Sequence, residues 1–321
     1  MRTSSSPAAF RTSVLAALLV AAGLLVAAPA PEAAAAVQSC SSSTPVSSRP
    51  TLRYGDTGSC VKVLQNILLA KGFSIGSSTA DGSFGPGTLL GVRRYQSSRL
   101  DLAIDGVVGP LTWNRLVNGG GVAYSVYRGP NTSTRVVLSF DDCPTSLSAF
   151  QSTVVGARNL GIALVLAPTG NCISAGRFNA SYARQYGHWV INHSVSHPDL
   201  TTLSTSSIYY QLGSPGVVTS YGRPPYGAVS ERVRNAYASK SMRIWLWNVD
   251  TNDWRGKTRS QVVSYVVTYA KPGNTVLMHM QWNAFNTTAL SSMKSGLAAK
   301  GIGVCRNLGA TTPTRPSVVN C

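Results

Sequence analysis

Short apolar runs alternate with segments of helical periodicity from about Thr134 to Leu308, and few folds accommodate that order. The predicted strands are Arg135–Phe140, Ile162–Leu166, His188–Asn192, Met242–Val249, Thr275–His279 and Ile302–Cys305. The predicted helices include Ser230–Ser239, Ser260–Ala270 and Ala289–Lys300. Strands that alternate with helices favour an α/β fold built on a parallel sheet or barrel.

Polar side chains cluster where the predicted strands end. The clusters are Asp141 and Asp142 after VVLSF, His193 and His197 after HWVIN, Asp250 and Asp253 after WLWNV, and His279 at the end of TVLMH. In an α/β barrel the carboxyl ends of the strands carry the catalytic groups. If the fold is a barrel, we expect these positions to form one site.

One part of this set has the composition of a metal site. Asp142, His193 and His197 would supply one oxygen and two nitrogen ligands and leave coordination positions open, as a catalytic metal requires. Pro198 disfavours helical geometry at His197, so we expect the histidine pair to span a strand end and the following loop. A solvated turn and a hydrogen-bonded histidine pair are the non-catalytic alternatives.

The region from Thr51 to Asn118 has a different pattern, with short helical segments separated by glycine turns. It contains a repeat, DGSFGPGT at 81–88 and DGVVGPLT at 105–112. Proline is well tolerated at a first helical position, so each repeat predicts a helix start. We expect residues 51–118 to form a small helical domain between linkers at 37–50 and 119–133.

Residues 1–36 predict a secretory signal peptide. Arg2 and Arg11 precede an apolar run from Val14 to Ala28, and small residues follow. The run is short for a membrane span, although an anchoring helix is the alternative. We therefore expect a protein that is exported from the cytoplasm and does not contact the membrane after removal of the signal.

The six cysteines fit this expectation, because an even number in an exported chain favours disulfides. Many pairings are open. Pairing neighbours in sequence would give Cys40–Cys60, Cys143–Cys172 and Cys305–Cys321.

The formal net charge is +17, which predicts attraction to polyanions. The basic residues are scattered among Ser, Thr and Gly, and no recognisable nucleic-acid motif is present. An exported chain of this kind is expected to meet anionic cell wall instead of nucleic acid.

Several motifs in the region 51–118 resemble a known domain. LRYGDTGSCVKVLQ, the two repeated units, RRYQ and TWNRL together are similar to the three-helix peptidoglycan-binding domain of bacterial cell-wall enzymes. The resemblance implies that cell-wall polysaccharide is the binding partner.

Five ordered motifs in the second region resemble the polysaccharide deacetylase family, also called the NodB-homology domain or carbohydrate esterase family four. The motifs are SFDDCP, HSVSHPD, RPPYG, DTNDW and LMH. The resemblance implies a distorted (β/α) barrel, which we place at residues 134–310 with a tail at 311–321. It also implies a divalent metal, usually zinc, held by Asp142, His193 and His197.

The same resemblance implies the acid–base roles. Asp141 would be the general base and His279 the general acid, on either side of the metal. Arg223 would steady the base. Asp250 or Asp253, with Arg223 or His279 as partner, would tune the charge network.

Three further positions are implied to contact the substrate. The backbone amide of Tyr226 would help to stabilise the oxyanion, and Trp254 and Leu277 would line the acetyl pocket. Trp254 could equally be a core aromatic residue.

The sequence departs from the family pattern at Cys143, where the family usually has glycine, and at Met280, where it often has aspartate. The strand IALVLAPTG also lacks the phenylalanines common there. We expect Cys143 to form a disulfide with Cys172, with a metal ligand or a redox-sensitive thiol as alternatives. A side chain at Cys143 would crowd the edge of the metal site. The strand change and Met280 affect the shape of the substrate site more than the chemical core, so they bear on specificity before activity.

The predicted function is removal of N-acetyl groups from the aminosugars of peptidoglycan or a chitin-like polymer. An O-acetyl esterase acting on xylan or a similar polysaccharide is the enzymatic alternative. A non-catalytic wall-binding protein is the alternative from a different class.

Overall fold

The computed structural model describes residues 39–213, 217, 219–313 and 321. The predicted signal peptide at 1–36 lies outside the described residues, and the predicted tail is described only at 311–313 and 321. Within the described ranges, no helix is both long enough and apolar enough to cross a membrane.

The first part of the chain contains the predicted three helices, α1 (Ser59–Ala70), α2 (Pro86–Ser97) and α3 (Pro110–Asn118). Pro86 and Pro110 are the first residues of their helices, as the repeat predicts. Trp113, Leu64 and Leu68 are fully buried in the shared core.

The two repeated turns are held by two glutamines in the same way. Gln65 accepts from the amide of Gly82 at 2.8 Å and donates to the carboxylate of Asp81 at 2.7 Å. Gln96 accepts from Gly106 at 2.8 Å and donates to Asp105 at 2.7 Å. Both glutamines are buried, so each turn supplies the partners that a buried amide needs.

The segment 39–50, predicted as a linker, packs onto this domain. The Cys40–Cys60 disulfide ties it to α1, and the Arg49 guanidinium lies 4.9 Å from the centre of the Trp113 ring.

The second part of the chain has the predicted α/β character. Its strands are β1 (Val137–Asp142), β2 (Leu164–Pro168), β3 (Trp189–Val190), β4 (Tyr221–Gly222), β5 (Arg243–Ile244), β6 (Val249–Asp250) and β7 (Thr275–His279). Its helices are α4 (Leu147–Asn159), α5 (Gly170–Ser174), α6 (Ala180–Gln185), α7 (Thr205–Gln211), α8 (Glu231–Ser239), α9 (Arg259–Tyr269) and α10 (Thr287–Ala298). All the strand pairs are parallel.

The strands form a distorted barrel. Five lie in the order β3-β2-β1-β7-β6, and β4 pairs with β5. A single parallel bridge between Asn192 and Gly222 joins β4 to the end of β3. The chain from Arg243 to Asp250 pairs with β4 at its start and with β7 at its end, so a bent, partly unpaired stretch connects the two sheets.

Three strand predictions need correction. The predicted strand Met242–Val249 is divided into β5 and β6, because the stretch changes partners. The predicted strand Ile302–Cys305 is not a strand; it contributes one parallel bridge, from Val304 to Val136. The two-residue strand β4 was not predicted.

The six cysteines form the three disulfides expected from nearest neighbours, Cys40–Cys60, Cys143–Cys172 and Cys305–Cys321.

The helical domain is hydrogen-bonded to the barrel. Nη2 of Arg243 donates to the carbonyl oxygens of Gln96, Arg99 and Leu102, at 3.2, 2.7 and 2.6 Å. The hydroxyl of Ser241 donates to the Ile104 carbonyl at 2.7 Å. These contacts join the end of α2 and the following loop to the start of β5.

Candidate active site

The predicted site residues converge at the carboxyl ends of the central strands. Asp141 on β1 is in register with His279 on β7, and Asp142 is in register with Pro168 on β2. A cavity of about 390 Å³ opens there. It is lined by Asp141, Asp142, His193, His197, Tyr226, Trp247, Asp250, Trp254, Leu277 and His279.

Asp142, His193 and His197 form a compact ligand set. Oδ1 of Asp142 lies 3.5 Å from Nε2 of His193 and 3.4 Å from Nε2 of His197. All three ligand atoms lie within 4.8 Å of one another. Ligands on a tetrahedral zinc with bonds of ~2.0–2.1 Å are about 3.3–3.4 Å apart, so these residues fit a zinc-sized cation.

Hydrogen bonds orient the two histidines. Nδ1 of His193 lies 2.8 Å from the carbonyl oxygen of Arg223, which can only accept, so Nδ1 carries the proton and Nε2 presents its lone pair. The amide of His197 donates to Oγ of Ser194 at 3.0 Å. Oε1 of Gln211 accepts from two consecutive amides in the loop between the histidines.

Burial and neighbouring charges shift the pKa values of all three ligand residues. Burial works against the charged form of Asp142, but its hydrogen bond to His193 and the charge of that ring lower its pKa. Burial alone would lower the pKa of His193, and the charges of Asp141 and Asp142 outweigh burial and raise it. Burial and then the His193 charge lower the pKa of His197. Asp142 therefore stays ionised beside the two histidine rings.

Asp141 is held separately from Asp142. Nη1 of Arg223 donates to Oδ1 of Asp141 at 2.6 Å and to Oγ of Ser139 at 3.1 Å. Arg223 is fully buried, and its Nε donates to the Trp245 carbonyl at 2.9 Å. Oδ2 of Asp141 lies 3.6 Å from Nε2 of His193. Both aspartates thus lie near Nε2 of His193, but only Asp141 is paired with Arg223.

His279 is paired with Asp253. Oδ1 of Asp253 lies 2.7 Å from Nδ1 of His279, and Oδ2 accepts the His279 amide at 2.8 Å. Asp253 is fully buried. Burial alone would lower the pKa of His279, but the hydrogen bond to Asp253 and the charge of Asp141 raise it. The pairing orients the ring so that Nε2 is the nitrogen left for the cavity.

The sequence did not show whether Asp250 or Asp253 is paired with Arg223 or His279, and the structure shows the pairs. Asp253 is the partner of His279, and Asp141 is the partner of Arg223. Asp250 lines the cavity, and its Oδ1 accepts the amide of Asn252 at 2.8 Å, which stabilises the turn before Asp253.

Tyr226, Trp254 and Leu277 all reach the cavity. Tyr226 and Trp254 are 69% and 48% exposed, whereas Leu277 is buried. The backbone of Tyr226 is left-handed, with φ 60°, and its ring packs edge-on against His197 at 4.7 Å between centroids. Because Trp254 is half exposed and lines the cavity, it is a rim residue and not a core residue.

The fourth histidine, His188, has no part in the site. Its Nδ1 accepts the Leu164 amide at 3.1 Å, so its Nε2 donates to the Val154 carbonyl at 2.9 Å. Burial lowers its pKa to about 4, which keeps the ring neutral.

Two residues at the site were not predicted from the sequence. Nε2 of Gln281 donates to Oδ2 of Asp142 at 2.8 Å, which leaves Oδ1 facing the histidines. Trp247 lines the cavity and lies 5.7 Å from the Arg223 guanidinium. The Trp could have been found from its place beside a strand-end carboxylate cluster, but a lone glutamine gives no comparable signal.

Two protein families match the two parts of the chain. Residues 57–116 match the family described as a peptidoglycan binding domain, and residues 128–245 match the polysaccharide deacetylase family. The resemblance predicted from the motifs is confirmed in both regions.

Curated relatives agree with these matches. The peptidoglycan-N-acetylglucosamine deacetylase of Listeria monocytogenes is 30% identical over 50% of this chain and 34% of its own length. The bifunctional xylanase/xylan deacetylase of Cellvibrio japonicus is 26% identical over 54% of this chain and 27% of its own length. The chain therefore spans about a third or less of the length of these relatives.

A solved structure has the same fold. A peptidoglycan N-acetylglucosamine deacetylase is 22% identical, with a TM-score of 0.50 over 59% of this chain and 96% of the other. At this identity the likeness concerns the fold alone.

Proposed function

Because its two parts match the polysaccharide deacetylase and peptidoglycan-binding families, we propose that the chain removes N-acetyl groups from aminosugars of peptidoglycan. The observation that carries the proposal is that one cavity brings together the Asp142, His193 and His197 ligand set, Asp141 and His279. A ligand set flanked by a carboxylate and an imidazole matches the needs of amide hydrolysis, which requires a base for water and an acid for the leaving amine.

On the base side, Asp141 accepts the proton of the attacking water. Arg223 occupies Oδ1 of Asp141 and leaves Oδ2 on the side of the ligand set, 3.6 Å from His193. A divalent cation bound by the ligand set, most simply zinc, would supply polarisation of the acetyl carbonyl and acidification of water. Arg223 acts as a positioning residue, since it reaches the reaction only through Asp141.

On the acid side, His279 donates a proton to the departing sugar amine. Its raised pKa keeps more of the ring protonated near neutral pH, and the hydrogen bond to Asp253 stabilises that form. Water adds to the acetyl carbonyl first, and the C–N bond breaks when the resulting tetrahedral species collapses with the proton from His279 on the nitrogen, so the products are acetate and a free amine.

The remaining cavity residues fit substrate binding. We assign Trp254 and Leu277 to the acetyl pocket and the amide of Tyr226 to stabilisation of the oxyanion. An exposed aromatic rim beside the cavity also suits the face of a sugar ring.

The preference for peptidoglycan is supported by the helical domain and by the Listeria relative. We propose residues 51–118 as the wall-binding domain and 134–310 as the catalytic domain of an exported protein with a signal peptide at 1–36. The N-terminal sequence of protein recovered from culture medium tests the signal peptide.

The activity is tested by incubating the zinc-loaded protein with peptidoglycan and with N-acetylated chitooligosaccharides and measuring released acetate. We expect release from wild type and none from Asp142→Ala. Absence of release from a folded, zinc-loaded wild type would contradict the proposal, and so would equal release from the variant.

The xylan deacetylase relative supports a second candidate, hydrolysis of O-acetyl esters. An ester is more easily attacked than an amide, so the same residues could act on both. The ratio of kcat/KM on acetylxylan to kcat/KM on acetylated aminosugar polymers separates the two, and a ratio well above one would favour the esterase.

A further inference from the structure

The disulfide between Cys143 and Cys172 lies directly beside the ligand set. Cys143 follows Asp142 in sequence, at a position where the family resemblance predicts glycine, and Cys172 is buried in α5. The covalent bond therefore connects the end of β1 to the segment that begins α5.

The start of α5 also holds the loop that carries the two histidines. The amide of Gly170 donates to the Ser194 carbonyl at 2.9 Å, and the amide of Asn171 donates to the Val195 carbonyl at 2.9 Å. Thr169 caps the helix by accepting the Cys172 amide, and its own amide donates to the Asp142 carbonyl at 3.3 Å. One short segment thus contacts both parts of the ligand set.

The ligand set needs such support because its backbone is strained. Asp142, Ser194 and His197 have φ values of 72°, 63° and 61°. Left-handed geometry costs a non-glycine residue on the order of 1–2 kcal/mol, and it persists where the surrounding structure enforces it. The β1–β2 and β2–β3 ladders connect β1 to the histidine loop by hydrogen bonds, and a covalent bond at this edge limits further how far the two can shift relative to each other.

We propose that the Cys143–Cys172 disulfide is a positioning element for the metal site, which fixes Asp142 relative to the loop of His193 and His197 through the segment 169–171. The inference rests on the metal site of the proposed function. In this view Cys143 does not crowd the site; the side chain that replaces glycine gives the two parts of the ligand set a covalent connection.

The test compares two disulfides that attach near opposite ends of β1. Cys143→Gly with Cys172→Ala removes the proposed positioning element. The control, Cys305→Ser with Cys321→Ser, removes the other disulfide of the barrel. It attaches near the start of β1, because the Cys305 amide donates to the Val136 carbonyl. The zinc dissociation constant is measured by competition with a chelator, and melting temperatures are measured with and without zinc.

We expect the first variant to bind zinc ~10–100-fold more weakly, the range found when groups that orient metal ligands are lost. The difference in melting temperature between zinc-loaded and zinc-free protein should shrink. The control should lose stability equally in both forms and keep its zinc affinity.

Unchanged zinc affinity in the first variant would overturn the inference, as would an equal loss in the control. Cys143→Ala with Cys172→Val, which keeps the buried volume, guards against a packing defect and should show the same weakened binding. If both variants fail to fold while the control folds, the disulfide serves the whole fold and the inference is wrong. Zinc binding is measured without substrate, so an inactive protein that binds zinc tightly contradicts the proposed function alone.

Discussion

The two parts of the chain differ in which residues adopt left-handed backbone conformations. Between residues 51 and 118 every described position with positive φ is a glycine, as at Gly82 and Gly106 in the repeated turns. Among the described residues of the second part, six non-glycine residues have positive φ, and several belong to the site. They are Asp142, Ser194, His197, Tyr226, Ser241 and Asn252. The helical domain adopts its turns without strain, whereas the barrel accepts strain where it positions functional side chains.

The largest expected effect is on catalysis. Asp141→Asn should lower kcat by about 10²–10⁴-fold, because the amide cannot take a proton from water. Zinc content should be retained, since the ligand set is intact, and elemental analysis beside acetate release measures both. Asp56→Asn is the control, because that carboxylate accepts the Arg53 amide in the helical domain, outside the cavity. A variant with near wild-type kcat would show that Asp141 is not the base.

The next largest expected effect is a loss of stability in the helical domain. Gln65→Ala leaves the Gly82 amide and the Asp81 turn without their buried partner, which should cost ~1–3 kcal/mol of unfolding free energy. Denaturant unfolding measures the loss, and kcat on soluble oligosaccharides should not change. The neighbouring exposed Asn66→Ala should have little effect. A fall in kcat for Gln65→Ala would mean that the helical domain affects the geometry of the site in the barrel.

A smaller effect is a shift in pH dependence. Asp253→Asn removes the hydrogen-bonded charge that raises the pKa of His279, so that pKa should fall. The acid form is lost as pH rises through the pKa, and the alkaline limb of kcat/KM should therefore move to lower pH. An unmoved limb in an active variant would assign the acid role to another group.

The smallest effect tests the strain itself. Tyr226→Gly should raise the unfolding free energy by up to about 1 kcal/mol, since glycine adopts φ 60° without a Cβ penalty. Activity should fall, because the ring that packs on His197 is lost. A variant that loses stability would show that the contacts of the tyrosine outweigh its backbone cost.

Residue patterns predicted the parts of the site that depend on strand ends. Asp141, Asp142, His193 and His279 follow apolar runs, and parallel pairing brings such ends to one edge. The partner of His279 could not be chosen from sequence, because it depends on the short 3-10 turn Asp253–Arg255.

Other features have weaker sequence signals. β4 has only two residues, too few for an alternating pattern. Gln65 and Gln96 make equivalent contacts, yet they precede Asp81 and Asp105 by 16 and 9 residues, so the repeat did not reveal them.

The contact of Arg243 with three carbonyl groups of the helical domain has a consequence for how the protein, on the proposed function, would act on a solid substrate. On the proposed function, a molecule held by the wall through one domain carries its cavity at a set distance and angle from that anchor. It could then hydrolyse only the acetyl groups within that distance before it dissociated from the wall. Deacetylation would proceed in local patches around each anchor, and loss of the Arg243 contact would spread the same activity more evenly along the glycan.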